Sequence, residues 1–215
     1  LTSIRTGGFS PRNSPFFSTV YGYIHCKNDG LRINAEVLLI PIDVRKKPLL
    51  LDGGMGRELR FRGVDVPATI WSAGSLLTDP DVVRQIHIDY ITAGADIITT
   101  NTYGVIRVDQ AKIGIEGRFA ELTTLACRLA LEARDLAGKE TAIAGSLPPL
   151  RGSFRPDLVG PIEEIEWLYA EQAKLMAPHI DFFLCETMSS AVEGRAAARA
   201  ACRTGKPVWV AWTLH

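Results

Sequence analysis

Glu186 is the side chain whose setting carries the most chemistry. It follows Phe182-Phe183-Leu184-Cys185, so a carboxylate closes an apolar run. If that run is a strand, alternation puts Phe182, Leu184 and Glu186 on one face and Phe183 and Cys185 on the other. A buried carboxylate without a counter-charge is costly. It calls for a neighbouring arginine or a cationic ligand, of which a substrate ammonium is the natural example. Asp52-Gly53-Gly54-Met55-Gly56 closes a second apolar run. Its glycines let backbone approach a ligand, and Asp52 can accept hydrogen bonds from a cation or hydroxyl. A tight strand-to-helix turn would use the same residues. Asn101, Thr102 and Tyr103 close a third run and read either as pocket lining or as a surface loop.

Other reactive residue types have plainer readings. Cys185 would face the helices if Glu186 faces a ligand, and a buried cysteine commonly acts as a small apolar filler. Cys127 and Cys202 fall on helical patterns. With Cys26 they make four scattered cysteines, with no C-x-x-C pair and no histidine at ligand spacing. That spacing predicts neither a disulfide scaffold nor a local zinc knuckle, and suits a reducing, cytoplasmic setting. His87 lies among Val83, Tyr90 and Ile91 on a helix face and reads as packing. His179 precedes a strand, at the end opposite the expected ligand mouth. Trp71 either roofs a pocket or packs in the core.

Five apolar runs position these residues, at 49–54, 95–102, 141–146, 181–187 and 208–213. Helical patterns separate them. Thr78-Asp79-Pro80-Asp81 predicts a helix start with Thr78 as cap. The following helix ends at Gly94. Phe119 to Ala133 carry a second stripe closed by Gly138, Ile165 to Met176 a third stopped near Pro178, and Ala191 to Cys202 a fourth ended by Gly205. Strands alternating with amphipathic helices predict parallel βαβ units with both faces covered. In a barrel of such units the chemistry sits at the carboxyl ends of the strands. A doubly wound sheet is the rival, but no G-x-G-x-x-G follows the first strand and no P-loop occurs.

The bulk composition is that of one globular domain: 215 residues, 47% hydrophobic, 22% charged, formal net charge zero. Zero net charge argues against a nucleic-acid partner, and no apolar run approaches a membrane span. Residues 1–47 stand apart. They are broken by Gly7, Gly8, Pro11, Pro15, Gly22 and Gly30. We expect them to be a poorly ordered or non-native extension, with a short strand conceivable at 36–42. Residues 48–215 form the second unit.

Taken together, the motifs resemble the homocysteine S-methyltransferase family. The resemblance rests on Leu51-Asp52-Gly53-Gly54-Met55-Gly56, Trp71-Ser72, His87-Ile88-Asp89-Tyr90-Ile91-Thr92-Ala93-Gly94-Ala95-Asp96, Thr99-Thr100-Asn101-Thr102-Tyr103, Ala144-Gly145-Ser146-Leu147-Pro148-Pro149 and Glu186-Thr187-Met188. It implies an α/β fold of the (βα)8 TIM-barrel type, of which about five strands and four helices are present. It implies methyl transfer from S-methylmethionine or S-adenosylmethionine to the thiol of homocysteine, giving methionine. It implies that Asp52, Gly53, Gly54 and Glu186 hold the amino-acid end of homocysteine, with Asn101 and Thr102 lining the same pocket. It also implies a zinc ion held by three cysteines, which would bind the substrate as its thiolate.

The chain departs from the family pattern at its end. The zinc cysteines follow the sixth and eighth strands, and this chain stops in its fifth. None of its four cysteines matches a ligand position, so no metal ligand and no catalytic residue is assigned. The expectation is therefore a truncated methyltransferase that keeps part of the amino-acid pocket and is inactive alone. A different barrel enzyme, such as an aldolase, is an alternative, although no strand ends in lysine. The other is a non-catalytic half barrel that self-associates through open sheet edges.

Overall fold

The computed structural model describes residues 19–27, 30–32 and 48–213. Its strands are β1 (Thr19–Lys27), β2 (Gly30–Arg32), β3 (Ile97–Thr99), β4 (Ala142–Leu147), β5 (Phe182–Met188) and β6 (Val208–Thr213). Its α-helices are α1 (Met55–Phe61), α2 (Ser75–Thr78), α3 (Pro80–Ala93), α4 (Arg107–Ala111), α5 (Phe119–Ala137), α6 (Ile162–Met176) and α7 (Ala191–Cys202).

β3, β4, β5 and β6 are parallel, and β4, β5 and β6 each lie beside the strand before them in the chain. Leu51 adds a single parallel bridge to Ile97, and the Asp52 N–H donates to the Ile97 carbonyl at 2.9 Å. The first expected strand is thus reduced to one bridging residue. Helices α3, α5, α6 and α7 fill the crossovers. A doubly wound sheet reverses its strand order part-way; among the described residues this order runs one way only.

The two faces of the sheet are separated by strand alternation. Ile98, Ile143, Phe183, Cys185, Val208 and Val210 pack beneath the helices with Tyr169, Met176 and the alanines of α7. Ile97, Ala142, Ala144, Phe182, Leu184 and Ala211 form a second cluster on the other face, with Leu49, Leu51 and Trp209 against it. Glu186 continues the Phe182–Leu184 row. The run of apolar residues therefore buries both faces, each large side chain contributing roughly 1.5–3 kcal/mol, and delivers the carboxylate at its carboxyl end. Gly145 lets α6 close on β4, because a Cβ there would lie 2.8 Å from Met176 Cε and 2.5 Å from Ile180 Cδ1.

Four expectations change. Thr78 ends α2 instead of capping α3; Asp79 is the cap, with φ −140° and no side-chain cap bond. The predicted closures at Gly94 and Gly138 are found, with φ of 106° and 62°. The extension contributes structure: β1 pairs antiparallel with β6 over six residue pairs from Thr19–Thr213 to Ile24–Val208, and β2 pairs with β1. The edge of β6, expected to be open, is covered. Strand-forming Val20, Tyr21, Tyr23 and Ile24 supply the β propensity that the surrounding glycines and prolines obscured. The conceivable strand at 36–42 lies outside the described residues. Finally, Cys202 is disulfide-bonded, whereas Cys127 and Cys185 are free and buried; sequence spacing says nothing about which thiols meet in space. Among the described residues, no helix is long and apolar enough to cross a membrane.

Candidate substrate site

A cavity of about 570 Å³ opens where the carboxyl ends of the parallel strands meet the start of α1. Asp52, Gly53, Gly54, Asn101 and Glu186 all line it, as do Trp71, Tyr103 and Thr187. Thr102 does not. It is fully buried and directs its hydroxyl to the Ser146 carbonyl at 2.7 Å. The turn that follows β3 leaves Thr99, Thr100, Asn101 and Tyr103 on the cavity and Thr102 in the interior.

Asp52 is fixed by Thr99. The Thr99 N–H donates to Asp52 Oδ2 at 2.8 Å, and the Thr99 hydroxyl donates to Oδ1 at 3.0 Å. Burial still raises the Asp52 carboxyl from 3.8 to about 7, with the negative charge of Glu186 adding to the effect and the Thr99 hydrogen bonds opposing it. Glu186 accepts from the Ser146 hydroxyl, Oγ to Oε1 at 2.5 Å. Burial raises its pKa as well, and the Ser146 hydrogen bond works against that rise. No arginine or lysine forms an ion pair with either carboxylate among the described residues. The arginine partner considered for Glu186 is therefore replaced by a serine: Arg57 and Arg60 line the same cavity, but neither forms an ion pair with Asp52 or Glu186 among the described residues.

Asn101 adds a third acceptor. Its Nδ2 donates to the Ser72 carbonyl at 3.0 Å and approaches Ser75 Oγ at 3.4 Å. A carbonyl can only accept, so this contact fixes which end of the amide is the nitrogen. Oδ1 is left buried and without a partner.

The backbone of α1 supplies the opposite polarity. The first helical hydrogen bonds run from the Arg57 and Glu58 N–H groups to the Gly54 carbonyl. The N–H groups before them belong to the glycine turn at the start of the helix, where unpaired backbone N–H groups favour an anion. Glycine at 53 lets the Tyr90 ring close on this turn, since a Cβ would sit 2.6 Å from Tyr90 Oη and push the ring aside. Trp71, half exposed, and Thr187 both line the cavity with left-handed backbone, φ 48° and 60°. For a β-branched residue such as Thr187 that conformation is strained. Trp71 thus walls the cavity, as one of its two readings expected. Ser146 and Thr99 were not singled out in the sequence, although each is a polar residue at a strand's carboxyl end, which is the signal that could have found them.

The remaining reactive groups lie elsewhere. Cys127 and Cys185 are buried on the helix side of the sheet, and burial pushes the Cys127 thiol up to about 12 and that of Cys185 further. His87 is fully buried in α3 with neither ring nitrogen hydrogen-bonded. Among the described residues, no three His, Cys, Asp or Glu side chains converge as metal ligands.

The pattern of the family described as homocysteine S-methyltransferase matches residues 49–215. The chain belongs to that family. Homocysteine S-methyltransferase 3 of Zea mays is 38% identical over 100 residues, 46% of this chain and 30% of the relative. Homocysteine S-methyltransferase of Escherichia coli K12 is 30% identical over 184 residues, 78% of this chain and 59% of the relative. The metallated form of the homocysteine methyltransferase MmuM from E. coli superimposes with a TM-score of 0.68 at 28% identity, covering 76% of this chain and 62% of that one. The family's members named here are methyltransferases, and the chain spans between about a third and three-fifths of their length. The α/β fold with its parallel sheet is shared with MmuM.

Proposed function

We propose that the cavity binds the amino-acid end of homocysteine, and that the chain is part of a homocysteine S-methyltransferase with a (βα)8 barrel. The observation that carries this reading is the pair of carboxylates, Asp52 and Glu186, lining one cavity with neither in an ion pair among the described residues, although Arg57 and Arg60 line the same cavity. A substrate ammonium supplies the missing charge. Asn101 lines the same cavity and keeps a buried Oδ1 without a hydrogen-bond partner beside it. The N–H groups of the glycine turn suit the substrate carboxylate. Held by both ends, the amino acid presents its side chain to the rest of the cavity.

The reaction in this reading transfers a methyl group from a sulfonium donor, S-methylmethionine or S-adenosylmethionine, to the homocysteine sulfur. The donor carbon–sulfur bond breaks as the new one forms, the thiol proton is lost, and methionine results. Family resemblance implies zinc for thiol activation. The described residues do not fit that metal: the two free thiols lie in the helix-side core with raised pKa values and no third ligand nearby. The role of this chain is therefore binding and orientation, and we infer that it does not turn over alone. Residues 48–215 act as the barrel unit and residues 1–47 as an extension to it.

Titration calorimetry with L-homocysteine and with 4-mercaptobutanoate, which lacks the ammonium, tests the reading. Wild-type chain should prefer homocysteine, and Glu186→Ala should lose roughly tenfold to a hundredfold in homocysteine affinity with little change for the analogue. Equal binding of the two ligands by the wild type would refute an ammonium site.

A further inference from the structure

We propose that Ser146 is a positioning residue: its hydroxyl holds one oxygen of Glu186 and leaves the other for the ligand's cation. The proposal rests on the reading of the cavity as an ammonium site. Ser146 does not line the cavity; it is fully buried on β4, opposite Leu184 in the β4–β5 register. Its Oγ donates to Glu186 Oε1 at 2.5 Å. Oε2 has no hydrogen-bond partner among the described residues.

What makes Ser146 rigid is a closed ring of hydrogen bonds. The Ser146 N–H donates to Thr100 Oγ1 at 3.1 Å, and Thr102 Oγ1 donates to the Ser146 carbonyl at 2.7 Å. The two threonine hydroxyls are 2.8 Å apart. Because the Thr102 hydrogen is committed to the carbonyl, the hydrogen between the hydroxyls belongs to Thr100. Each donor and acceptor then has one role, and all three residues are buried. The ring clamps the Ser146 main chain from β3's end, so its hydroxyl can only be aimed by χ1 toward β5. A serine is the smallest side chain that can reach Glu186 from there with a donor.

The other ionisable groups around Glu186 are Asp52 at the α1 turn, Tyr103 in the loop after β3, and Cys185 on its own strand. None is a cation. Ser146 is thus the donor that favours the ionised carboxylate against burial and against Asp52.

The test is a carbon-13 NMR titration of the Glu186 carboxyl in the full chain, which needs no ligand, alongside homocysteine calorimetry. Ser146→Ala should raise the Glu186 pKa and weaken homocysteine binding about tenfold, the worth of one hydrogen bond to a charged group. Ser146→Thr, which keeps the hydroxyl, should restore both. An unchanged Glu186 titration in Ser146→Ala overturns the proposal. If Ser146→Ala does not fold, the wild-type chain still decides. The Ser146 hydroxyl proton should appear as a slowly exchanging resonance that moves with Glu186 titration, and its absence overturns the proposal. Failure of the wild type to bind homocysteine would sink the functional reading and leave the titration result standing by itself.

Discussion

Asp52→Asn should stabilise the folded chain at neutral and alkaline pH while weakening its ligand site. The substitution isolates charge. Asn Oδ1 can take the Thr99 N–H, and Asn Nδ2 can donate to the Thr99 hydroxyl, so both existing contacts at 2.8 and 3.0 Å keep a partner. What changes is ionisation. Burial holds the Asp52 carboxyl at about 7, against 3.8 for the ordinary group. Below 3.8 both folded and unfolded chains carry the proton. Between 3.8 and about 7 the unfolded chain releases it and the folded chain retains it, so stability contributed by the protonated form is lost as pH rises through 7. The full span is worth about 4 kcal/mol. Asp52 is only partly buried, and solvent contact should reduce this to about 1–2 kcal/mol. Urea denaturation at pH 4.5, 6 and 8 reads it. The midpoint of Asp52→Asn should exceed that of the wild type at pH 8, with the gap closing toward pH 4.5 and the slope unchanged. A variant less stable than wild type at pH 8, or a gap independent of pH, would refute the reasoning. Such an exchange of stability for a charged site is a common pattern in binding sites.

Two further outcomes follow from the surroundings of the cavity. Gly53→Ala should lower homocysteine affinity, because its Cβ would meet Tyr90 Oη at 2.6 Å; Tyr90→Phe should recover part of the loss, and additive effects in that double-mutant cycle would remove the contact from the explanation. His87 is buried without partners, and burial lowers its pKa from 6.5 to about 4. Its neutral form supports the fold above 6.5, and that support is lost as pH falls toward 4, by about 3 kcal/mol at most. His87→Leu should therefore flatten the acid limb of the stability profile; an acid limb of unchanged steepness would assign acid lability to other groups.

Strand periodicity made much of the site legible before any coordinates. Glu186 could be placed on the Phe182–Leu184 face because alternation has only two outcomes, and the structure has that face. Asp52 and the glycines were legible because turn chemistry is local. Thr102 was not, since a two-residue difference in loop geometry after β3 decides whether a hydroxyl meets ligand or main chain. Ser146 was passed over because its partner, Glu186, lies forty residues away in sequence and on the neighbouring strand. The strand Thr19–Lys27 was passed over because Gly and Pro on both sides outweigh its β-branched and aromatic residues in any local reading.

The sequence by itself determined the αβ alternation, the helix-facing and inner rows of each strand, and the polar residues at the carboxyl ends. Those properties follow from hydrophobic period and from residues adjacent in the chain. Only the tertiary structure decided that β6 is paired by β1, and that Asp52 and Glu186 share a cavity in which no arginine pairs with either of them. The physical reason is that the cost of an unpaired buried charge depends on every group within a few ångströms. Those groups come from the α1 turn, the loop after β3, β4 and β5, and no local pattern encodes their meeting.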